Sequence, residues 1–305
     1  MSEKTSGLTV LQAGVQSSLQ DLGRFGCADQ GLSQGGAVDL HAHCWANKLL
    51  ENDMDAATLE VAIGMAKFRA ETDLQLAIAG ADMQAQVDGS LIGNWRSFPV
   101  KCGQILTLKA AQQGIRAYLA VAGGFIAETY FGSVSAVPRN QVGDFIKDGG
   151  FLTTGILVSQ TFRQVPQRYI PEYQDSITLR IIESYQASKF DREQLDLFYR
   201  SEYILSQDTD RMGARLEGKP VSTPRSGIIS EGIALGSIQI PPNGQPIILL
   251  NDRQTLGGYP KIGCVARIDL PKIAQARPGT KVQFVPIGLE QARREWLDFR
   301  RWFND

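Results

Sequence analysis

The sequence predicts a mainly β fold with a few packing helices. Short apolar runs bounded by Gly, Asn or Asp turns outnumber the segments with helical periodicity. Strands and helices also fail to alternate regularly, which disfavours a doubly wound α/β fold and favours a β barrel. The chain has 305 residues, enough for one large domain or two medium ones.

Ten segments are predicted to be strands because they combine β-branched or aromatic residues with flanking turn residues. In chain order they are Leu8–Leu11, Leu74–Ala79, Ile105–Lys109, Arg116–Ala122, Ile177–Ile182, Tyr203–Leu205, Ile238–Ile240, Ile247–Leu250, Cys264–Ile268 and Lys281–Val285.

Four helices are predicted from an N-cap residue followed by helical spacing of apolar residues. They are Asp39–Leu50, a helix from Ser188 or Asp191 to Arg200, a short helix capped by Asp269 with Pro271 in its first turn, and Glu290–Phe303.

A segment with weak periodicity suggests a boundary between two halves. Val158–Ser176 is rich in Gln, Arg, Pro and Tyr, which is typical of a linker. We therefore expect one lobe in residues 1–165 and a second in residues 166–305, the latter carrying the C-terminal helix. Segments can exchange between the two lobes.

Composition excludes several classes of function. The formal net charge is −1, so electrostatics favours neither nucleic acid nor an anionic membrane as a partner. There is no leader pattern and no long apolar run, so we expect a cytoplasmic protein.

The chain offers few residues for metal or redox chemistry. Its four cysteines lack a Cys-x-x-Cys pair, and we expect reduced, mostly buried thiols. Its two histidines, His41 and His43, do not share one helical face, so no metal site is expected.

The first candidate site lies in the Gly-rich stretch from Gln20 to Asp39. Arg24 could bind a carboxylate or phosphate in a bidentate manner, with glycines allowing close approach. The alternative is a tight loop in which Asp21 and Arg24 pair with each other and Asp39 caps a helix.

The second candidate site places Asp210, Arg211 and Arg215 around Gly213. Two arginines beside an acid can bind an anionic substrate while the acid orients one guanidinium. A solvated charged loop is an equal alternative.

The third candidate site follows the apolar run Ile247–Leu250, where a buried strand ends in polar residues beside paired glycines. Asp252 could accept hydrogen bonds from an amide or ureido N–H, and Lys261 could stabilise a developing oxyanion. Tyr259 could cover a ring. The alternative is a hairpin end in which Asp252 forms a surface pair with Arg253 or Lys261. The remaining polar and glycine positions of this site are Gln254, Thr255, Gly257 and Gly258.

Three further features are ambiguous. Val121–Phe125 superficially resembles a phosphate loop but lacks the Gly-x-x-x-x-Gly-Lys spacing. Glu60 and Glu231 are either inward-facing acids or surface charges.

Taken together, the motifs resemble the allophanate hydrolase subunit 2 or biotin-dependent carboxyltransferase family, which includes the C subunit of 5-oxoprolinase and a kinase-inhibitor antagonist. The resemblance runs from Gly14 to Phe284. The matching segments are Gln20–Arg24, Gly36–Asp39, Ala46–Asn47, Leu59–Glu60, Gly80–Ala81, Arg116–Gly124, Asp210–Gly213, Arg215–Leu216, Ser230–Glu231, Gly236–Lys261 and Arg277–Gly279.

The resemblance implies two cyclophilin-like β-barrel lobes with a cleft between them. It also implies a homologous partner, similar to allophanate hydrolase subunit 1 or the B subunit of 5-oxoprolinase, and a third, lactamase subunit. On this basis Asp252, Lys261 and Arg211 are the candidate catalytic residues. The candidate substrate-binding residues are Arg24, Asp21, Asp210, Arg215, Arg253, Gln254, Thr255, Gly257, Gly258 and Tyr259.

Three functions remain open at this point. The first is a subunit of an ATP-dependent 5-oxoprolinase, with the ATP site not assigned to this chain. The second is a biotin-dependent carboxyltransferase component acting on a urea-like substrate. The third is a non-enzymatic regulator that antagonises a histidine-kinase inhibitor. The chain contains neither an ATP-binding motif nor a biotin-carrier Met-Lys-Met segment, which favours the first.

The chain departs from the family pattern at three positions and in the Gly-rich segment Val137–Gly155. Val134 and Ala136 stand in Gly132–Ala136, where the family usually has Gly-Ser-Arg-Ser-Thr, and Leu256 replaces a usual Thr. If the missing Arg and Thr contact substrate, these departures predict a divergent or weakened member.

Overall fold

The computed structural model describes residues 5–155, 162–223 and 228–304. Part of the expected linker Val158–Ser176 therefore lies outside the described residues. The chain divides into two compact units. The first comprises residues 5–24 and Gly35–Tyr173, and the second comprises Phe25–Gln34 and Gln174–Phe303.

The first unit contains twelve strands and one α-helix among its described residues. They are β1 (Gly7–Ala13), β2 (Gln16–Gln20), α1 (Leu40–Lys48), β3 (Thr58–Ala62), β4 (Ala66–Ala70), β5 (Leu74–Asp82), β6 (Gln86–Val87), β7 (Ser90–Leu91), β8 (Arg96–Val100), β9 (Ile105–Leu108), β10 (Gln113–Val121), β11 (Phe125–Ile126) and β12 (Phe151–Thr154).

Two sheets form this unit. A seven-stranded sheet has the order β11-β12-β1-β4-β9-β6-β7, and a five-stranded sheet has the order β2-β3-β10-β5-β8. A buried apolar cluster draws on both sheets, including Leu8 and Phe68 from the first and Leu59 and Leu119 from the second. The apolar faces of the strands thus form one core.

The second unit contains nine strands and three α-helices among its described residues. They are β13 (Ser176–Glu183), α2 (Arg192–Arg200), β14 (Tyr203–Leu205), β15 (Gly213–Glu217), β16 (Glu231–Gly232), β17 (Ser237–Gln239), β18 (Ile247–Leu249), β19 (Leu256–Gly257), β20 (Lys261–Val265), α3 (Leu270–Gln275), β21 (Lys281–Pro286) and α4 (Leu289–Asn304).

Seven of these strands close into a barrel with the order β13-β20-β17-β18-β15-β14-β21, and β16 pairs with β19 in a separate ribbon. Phe198 of α2 stacks on Phe284 of β21 at a centroid distance of 4.6 Å. Arg267 lies 4.7 Å from the ring centroid of Trp296, which joins the end of the barrel to α4. Closure removes the exposed edges of the sheet.

The predicted mainly β class is confirmed, and each of the ten predicted strands overlaps an observed strand. Several observed strands are not among the predicted ones. β3 is buried at every position, so it shows no polar alternation that would identify a half-buried strand. In β15, Arg215 and Glu217 give a charged composition that hides the strand, although Gly213, Ala214 and Leu216 are buried.

The four predicted helices are also present. The Asp39 carboxylate accepts a hydrogen bond of 3.0 Å from the backbone N–H of Ala42 and caps α1. Asp191 is the N-cap residue of α2, and Asp269 precedes α3.

All four cysteines are free, but the expectation that they are mostly buried is wrong. Cys44 is buried, Cys27 and Cys264 are half-buried, and Cys102 is exposed. Cys102 lies in the turn before β9, where its thiol contacts a backbone carbonyl rather than a core. Across the described part of the chain, every helix is too short or too polar to cross a membrane.

Candidate functional site

The end of β18 is where most of the predicted site residues converge. β18 pairs with β15 on one side and β17 on the other, so its backbone direction is fixed by the barrel. The backbone N–H of Asp252 then donates to the carbonyl of Arg211 at 2.9 Å. The third candidate site is therefore held against the second by main-chain hydrogen bonds.

Asp252 and Arg211 form a buried, bidentate ion pair. Arg211 Nε donates to Asp252 Oδ2 at 3.0 Å and Arg211 Nη2 donates to Asp252 Oδ1 at 2.9 Å. Each side chain is only 5% exposed. The alternative of a surface pair between Asp252 and Arg253 or Lys261 is wrong, because the barrel turns Asp252 inward towards Arg211. The alternative of a solvated loop is also wrong for Arg211, which is buried in this ion pair, and for Gly213–Glu217, which pair as strand β15 with β14 and β18.

Lys261 is the second buried cation of this region. Its side chain is 7% exposed and its Nζ pairs with Glu231. Glu231 also accepts hydrogen bonds from Tyr185 and from Gln186 Nε2, the latter at 2.7 Å. The hydrogen bond from Lys261, followed by that from Tyr185, lowers the pKa of Glu231 below its ordinary value. Glu231 is thus the half-exposed partner of Lys261.

A cleft of about 770 Å³ opens within the second unit. Five of the predicted substrate-binding residues line it: Asp210, Arg215, Arg253, Gln254 and Tyr259. The rest of its lining is Ser206, Asp208, Met212, Gly213, Leu216, Glu217, Gln239, Pro241, Pro242, Asn243, Gln245, Pro246, Ile247 and Leu249. Among the described residues, Arg211, Asp252 and Lys261 contribute nothing to this lining.

Arg253 is the half-buried cation of the cleft. It donates to the carbonyls of Ile233 and Leu250 at 3.1 and 3.3 Å, and weakly to Gln34 Oε1 at 3.4 Å. Within the described residues it has no ion-pair partner. Burial, with a smaller contribution from nearby Arg267, lowers the pKa of Arg253 to about 10. Burial of the guanidinium thus outweighs the opposing effect of the nearby Asp252 carboxylate on the pKa of Arg253.

Asp210 and Arg215 differ from Arg253. Asp210 accepts hydrogen bonds from the backbone N–H groups of Met212 at 2.7 Å and Gly213 at 3.1 Å, so it shapes the turn before β15. Arg215 is exposed and has no ion-pair partner in the described part of the chain.

The paired glycines are required for close packing. A Cβ atom on Gly257 would lie 2.6 Å from Ile233 Cδ1 and 2.9 Å from Gln239 Nε2. A Cβ atom on Gly258 would lie 3.2 Å from the carbonyl oxygen of Ile228. Thr255 contributes its carbonyl to the N–H of Ile233. The sequence correctly singled out the glycines as positions of close approach. In the structure, the atoms that approach them belong to the protein itself.

Two further residues of this region, Ser33 and Gln239, are not among the predicted site residues. Ser33 donates to the carbonyls of Asp252 and Arg253 at 3.2 and 2.8 Å. Gln239 of β17 lines the cleft while being 2% exposed. The available signal was an amide between Ile238 and Ile240 in an otherwise apolar strand.

In the first unit, the Asp21 carboxylate is surrounded by donors from the protein itself. Oδ1 accepts from the N–H of Gly23 at 2.7 Å and from the hydroxyls of Ser133 and Ser135 at 2.6 and 2.5 Å, and Oδ2 accepts from the N–H of Val134 at 2.8 Å. We call Asp21 with Ser133–Ser135 the Asp21 loop. The departure at Val134 therefore keeps a backbone donor to Asp21.

Arg24 is buried beside the Asp21 loop. Its guanidinium donates to the carbonyl of Ser135 and, at 3.4 Å, to that of Tyr130. Ala136 is also buried, and its carbonyl accepts from Gln20 Nε2 at 3.0 Å. These bonds make Arg24 and Ala136 part of the internal structure of the loop.

Glu60 faces inward. Its Oε2 accepts from the hydroxyl of Tyr118 at 2.6 Å and from the N–H of Val38 at 3.1 Å. Burial, with the adjacent Glu60 carboxylate, raises the pKa of Tyr118 well above its ordinary value, so the hydroxyl remains a donor.

Val121–Phe125 forms a tight turn between β10 and β11. Gly123 and Gly124 adopt φ of 83° and 76°. The N–H of Gly123 donates to Asn52 Oδ1 at 2.9 Å. This donor is already used, and the turn leads into β11 rather than a helix, so it does not fit a nucleotide phosphate.

The carboxyltransferase domain family, subdomains A and B, matches residues 30–286. The chain is 36% identical to the C subunit of 5-oxoprolinase from Escherichia coli over 97% of its own length and 96% of that protein. It is 32% identical to the C subunit of the Haemophilus influenzae 5-oxoprolinase, over 94% of its own length and 93% of that protein.

A solved structure of Kluyveromyces lactis urea carboxylase aligns with a TM-score of 0.93 at 25% identity. The alignment covers 100% of this chain and 29% of that one. These matches extend across both units, and the chain belongs to the carboxyltransferase domain family that comprises subdomains A and B.

Proposed function

We propose that this protein is a subunit of an ATP-dependent 5-oxoprolinase, which opens 5-oxo-L-proline to L-glutamate in the cytoplasm. The observation that carries the proposal is the similarity to the C subunits of two bacterial 5-oxoprolinases over nearly the full length of both partners. The protein works with a homologous partner subunit and a third, lactamase subunit.

The cleft of the second unit supplies chemistry suited to this substrate. Arg253 carries a charge without an ion-pair partner among the described residues, and a substrate carboxylate would compensate it. Gln254 adds an amide at the same cleft, and Tyr259, 44% exposed, can cover the lactam ring.

The roles of Asp252, Lys261 and Arg211 in catalysis stay predictions. Each is engaged in a buried ion pair, with Asp252 bound to Arg211 and Lys261 bound to Glu231. Direct contact with substrate would require these pairs to open. In the resting protein, their contribution is to hold the ends of β18 and β20 that carry the cleft residues.

ATP is proposed as the energy source of the complex, with its binding site not assigned to this chain. ATP supplies a phosphoryl group that activates the lactam oxygen for ring opening. What this chain's own residues add is recognition of the lactam acid.

The decisive experiment is reconstitution. The protein is co-purified with the homologous partner and the lactamase subunit, and ATP-dependent glutamate formation and ADP release are measured with 5-oxo-L-proline. Omitting this chain is the control. Full activity without it, or no ADP release with all subunits present, would refute the proposal.

The second candidate is a carboxyltransferase component, supported by the alignment with urea carboxylase. In that case biotin carries the carboxyl group. Transfer from carboxybiotin to urea by the co-purified proteins, with no lactam-dependent ADP release, would establish it. If neither reaction occurs, the remaining candidate function is that of a non-enzymatic regulator that antagonises a histidine-kinase inhibitor.

A further inference from the structure

Gln239 is a buried amide at the wall of the cleft. It ends β17, where it is paired in register with Ile247 of β18 and Lys261 of β20. The register shifts between Ile238 and Gln239, so a bulge sets the direction of this side chain. Its backbone is thus fixed by strands on both sides.

Gln239 Nε2 is fully enclosed and has no hydrogen-bond partner among the described residues. Buried amides are normally paired, because a donor removed from water without a partner loses its hydration. A buried amide nitrogen without a partner, on a residue that lines a cleft, is therefore a candidate to form a hydrogen bond with a ligand.

The residues around Gln239 leave space beside its amide group. Gly257 has no side chain over the amide, and a Cβ atom there would come within 2.9 Å of Gln239 Nε2 and 3.1 Å of Gln254 Nε2. The final torsion of a glutamine is soft, so its amide can turn an edge towards the cleft. Gly257 leaves the room for that rotation.

The amide edge of a glutamine presents a C=O acceptor and an N–H donor side by side. A lactam is a cis-amide and presents the complementary N–H and C=O side by side. The two can form a cyclic pair of hydrogen bonds, which a trans-amide or an amine cannot. A ureido group offers the same arrangement.

We propose that Gln239 is the specificity-determining residue of the cleft and pairs with the cis-amide of the ligand, while Arg253 binds its carboxylate. This inference rests on the proposed function for the choice of a lactam acid as ligand. It distinguishes 5-oxo-L-proline from L-proline, which has the carboxylate and the ring but lacks the carbonyl.

The test is direct binding, measured by calorimetry on the chain co-purified with its homologous partner. The ligands are 5-oxo-L-proline, its N-methyl derivative and L-proline, with urea as the ureido probe. Gln239→Leu should weaken binding of 5-oxo-L-proline by about tenfold or more, because both hydrogen bonds are lost. N-methylation should weaken binding to the wild type by a similar factor and have little effect on Gln239→Leu.

Gln75→Leu is the matched control. Gln75 is also a buried glutamine whose Nε2 has no partner in the described chain, but it lies on β5 of the first unit. Both substitutions should preserve or raise the melting temperature, since each removes an unpaired buried amide. Only Gln239→Leu should weaken binding.

Equal affinity of wild type and Gln239→Leu for 5-oxo-L-proline would overturn the inference, as would equal binding of the N-methyl derivative. Absence of lactam binding to the wild-type complex would overturn it as well. If lactam binds through Gln239 but no ATP-dependent turnover follows, the inference stands and the 5-oxoprolinase proposal fails. If urea alone shows the dependence on Gln239, the lactam assignment is overturned and the carboxyltransferase candidate gains support.

Discussion

The Asp21 loop of the first unit and the cleft of the second unit are both predicted from sequence as ligand sites, but they use their polar groups in opposite ways. The Asp21 carboxylate accepts four hydrogen bonds from the chain itself. In the cleft, Gln239 Nε2 has no hydrogen-bond partner and Arg253 has no ion-pair partner among the described residues.

This contrast separates structural polar groups from ligand-binding polar groups in this fold. A buried polar group whose capacity is filled by the chain stabilises the native state. A polar group at a cleft that lacks a hydrogen-bond or ion-pair partner within the chain can still bind a ligand. Substitutions should therefore alter stability in the Asp21 loop and affinity in the cleft.

The largest effect is expected for Arg211→Ala, which tests whether filled polar groups in the second unit are structural too. It leaves the Asp252 carboxylate buried without its guanidinium, so the free energy of unfolding should fall by about 3–5 kcal/mol. Urea denaturation measures this. Combining Arg211→Met with Asp252→Leu should recover most of the loss, and a single variant as stable as wild type would contradict the structural role.

Asp21→Ala should lower the free energy of unfolding by about 2–3 kcal/mol, because two backbone N–H groups and two hydroxyls lose their acceptor. The same denaturation experiment applies, with the exposed Asp29→Ala as control. If both variants unfold at the same urea concentration, the loop is not held by Asp21.

Arg253→Met should have the opposite effect, with a large loss of ligand affinity and a small loss of stability. The dissociation constant for 5-oxo-L-proline should rise about tenfold or more, while stability falls by only about 1 kcal/mol because the hydrogen bonds of Arg253 go to neutral acceptors. Calorimetry and denaturation are compared on one preparation. Arg253→Lys keeps the charge and should be intermediate, and exposed Arg192→Met should match wild type. A large loss of stability with unchanged affinity would place Arg253 with the Asp21 loop.

The smallest effect concerns Glu231, whose hydrogen bonds from Lys261 and Tyr185 lower its pKa. A carboxyl with a lowered folded-state pKa contributes stability above its ordinary value of 4.5, and this is lost as the pH falls through the folded-state value. Glu231→Gln should therefore show a shallower loss of stability below pH 4.5. Parallel acid-unfolding curves would contradict this.

Some of the site could be predicted from residues alone. Arg253, Gln254 and Tyr259 follow directly on a buried strand, so their proximity is local in sequence. The Arg211–Asp252 pair joins residues far apart in the chain, and only the pairing of β15 with β18 brings them together. The same applies to Lys261 and Glu231, which meet where Gln186 and Tyr185 surround the acid.

The mainly β class, the helix cap at Asp39 and the family follow from the amino-acid sequence, because these depend on local periodicity and ordered motifs. The sequence leaves the start of α2 open between Ser188 and Asp191, and the structure places it at Asp191. Only the tertiary structure decided which polar groups find hydrogen-bond partners within the chain. Hydrogen-bond capacity is satisfied by neighbours across strands, so Asp21 became structural and Gln239 stayed open only once the sheet and the barrel had formed.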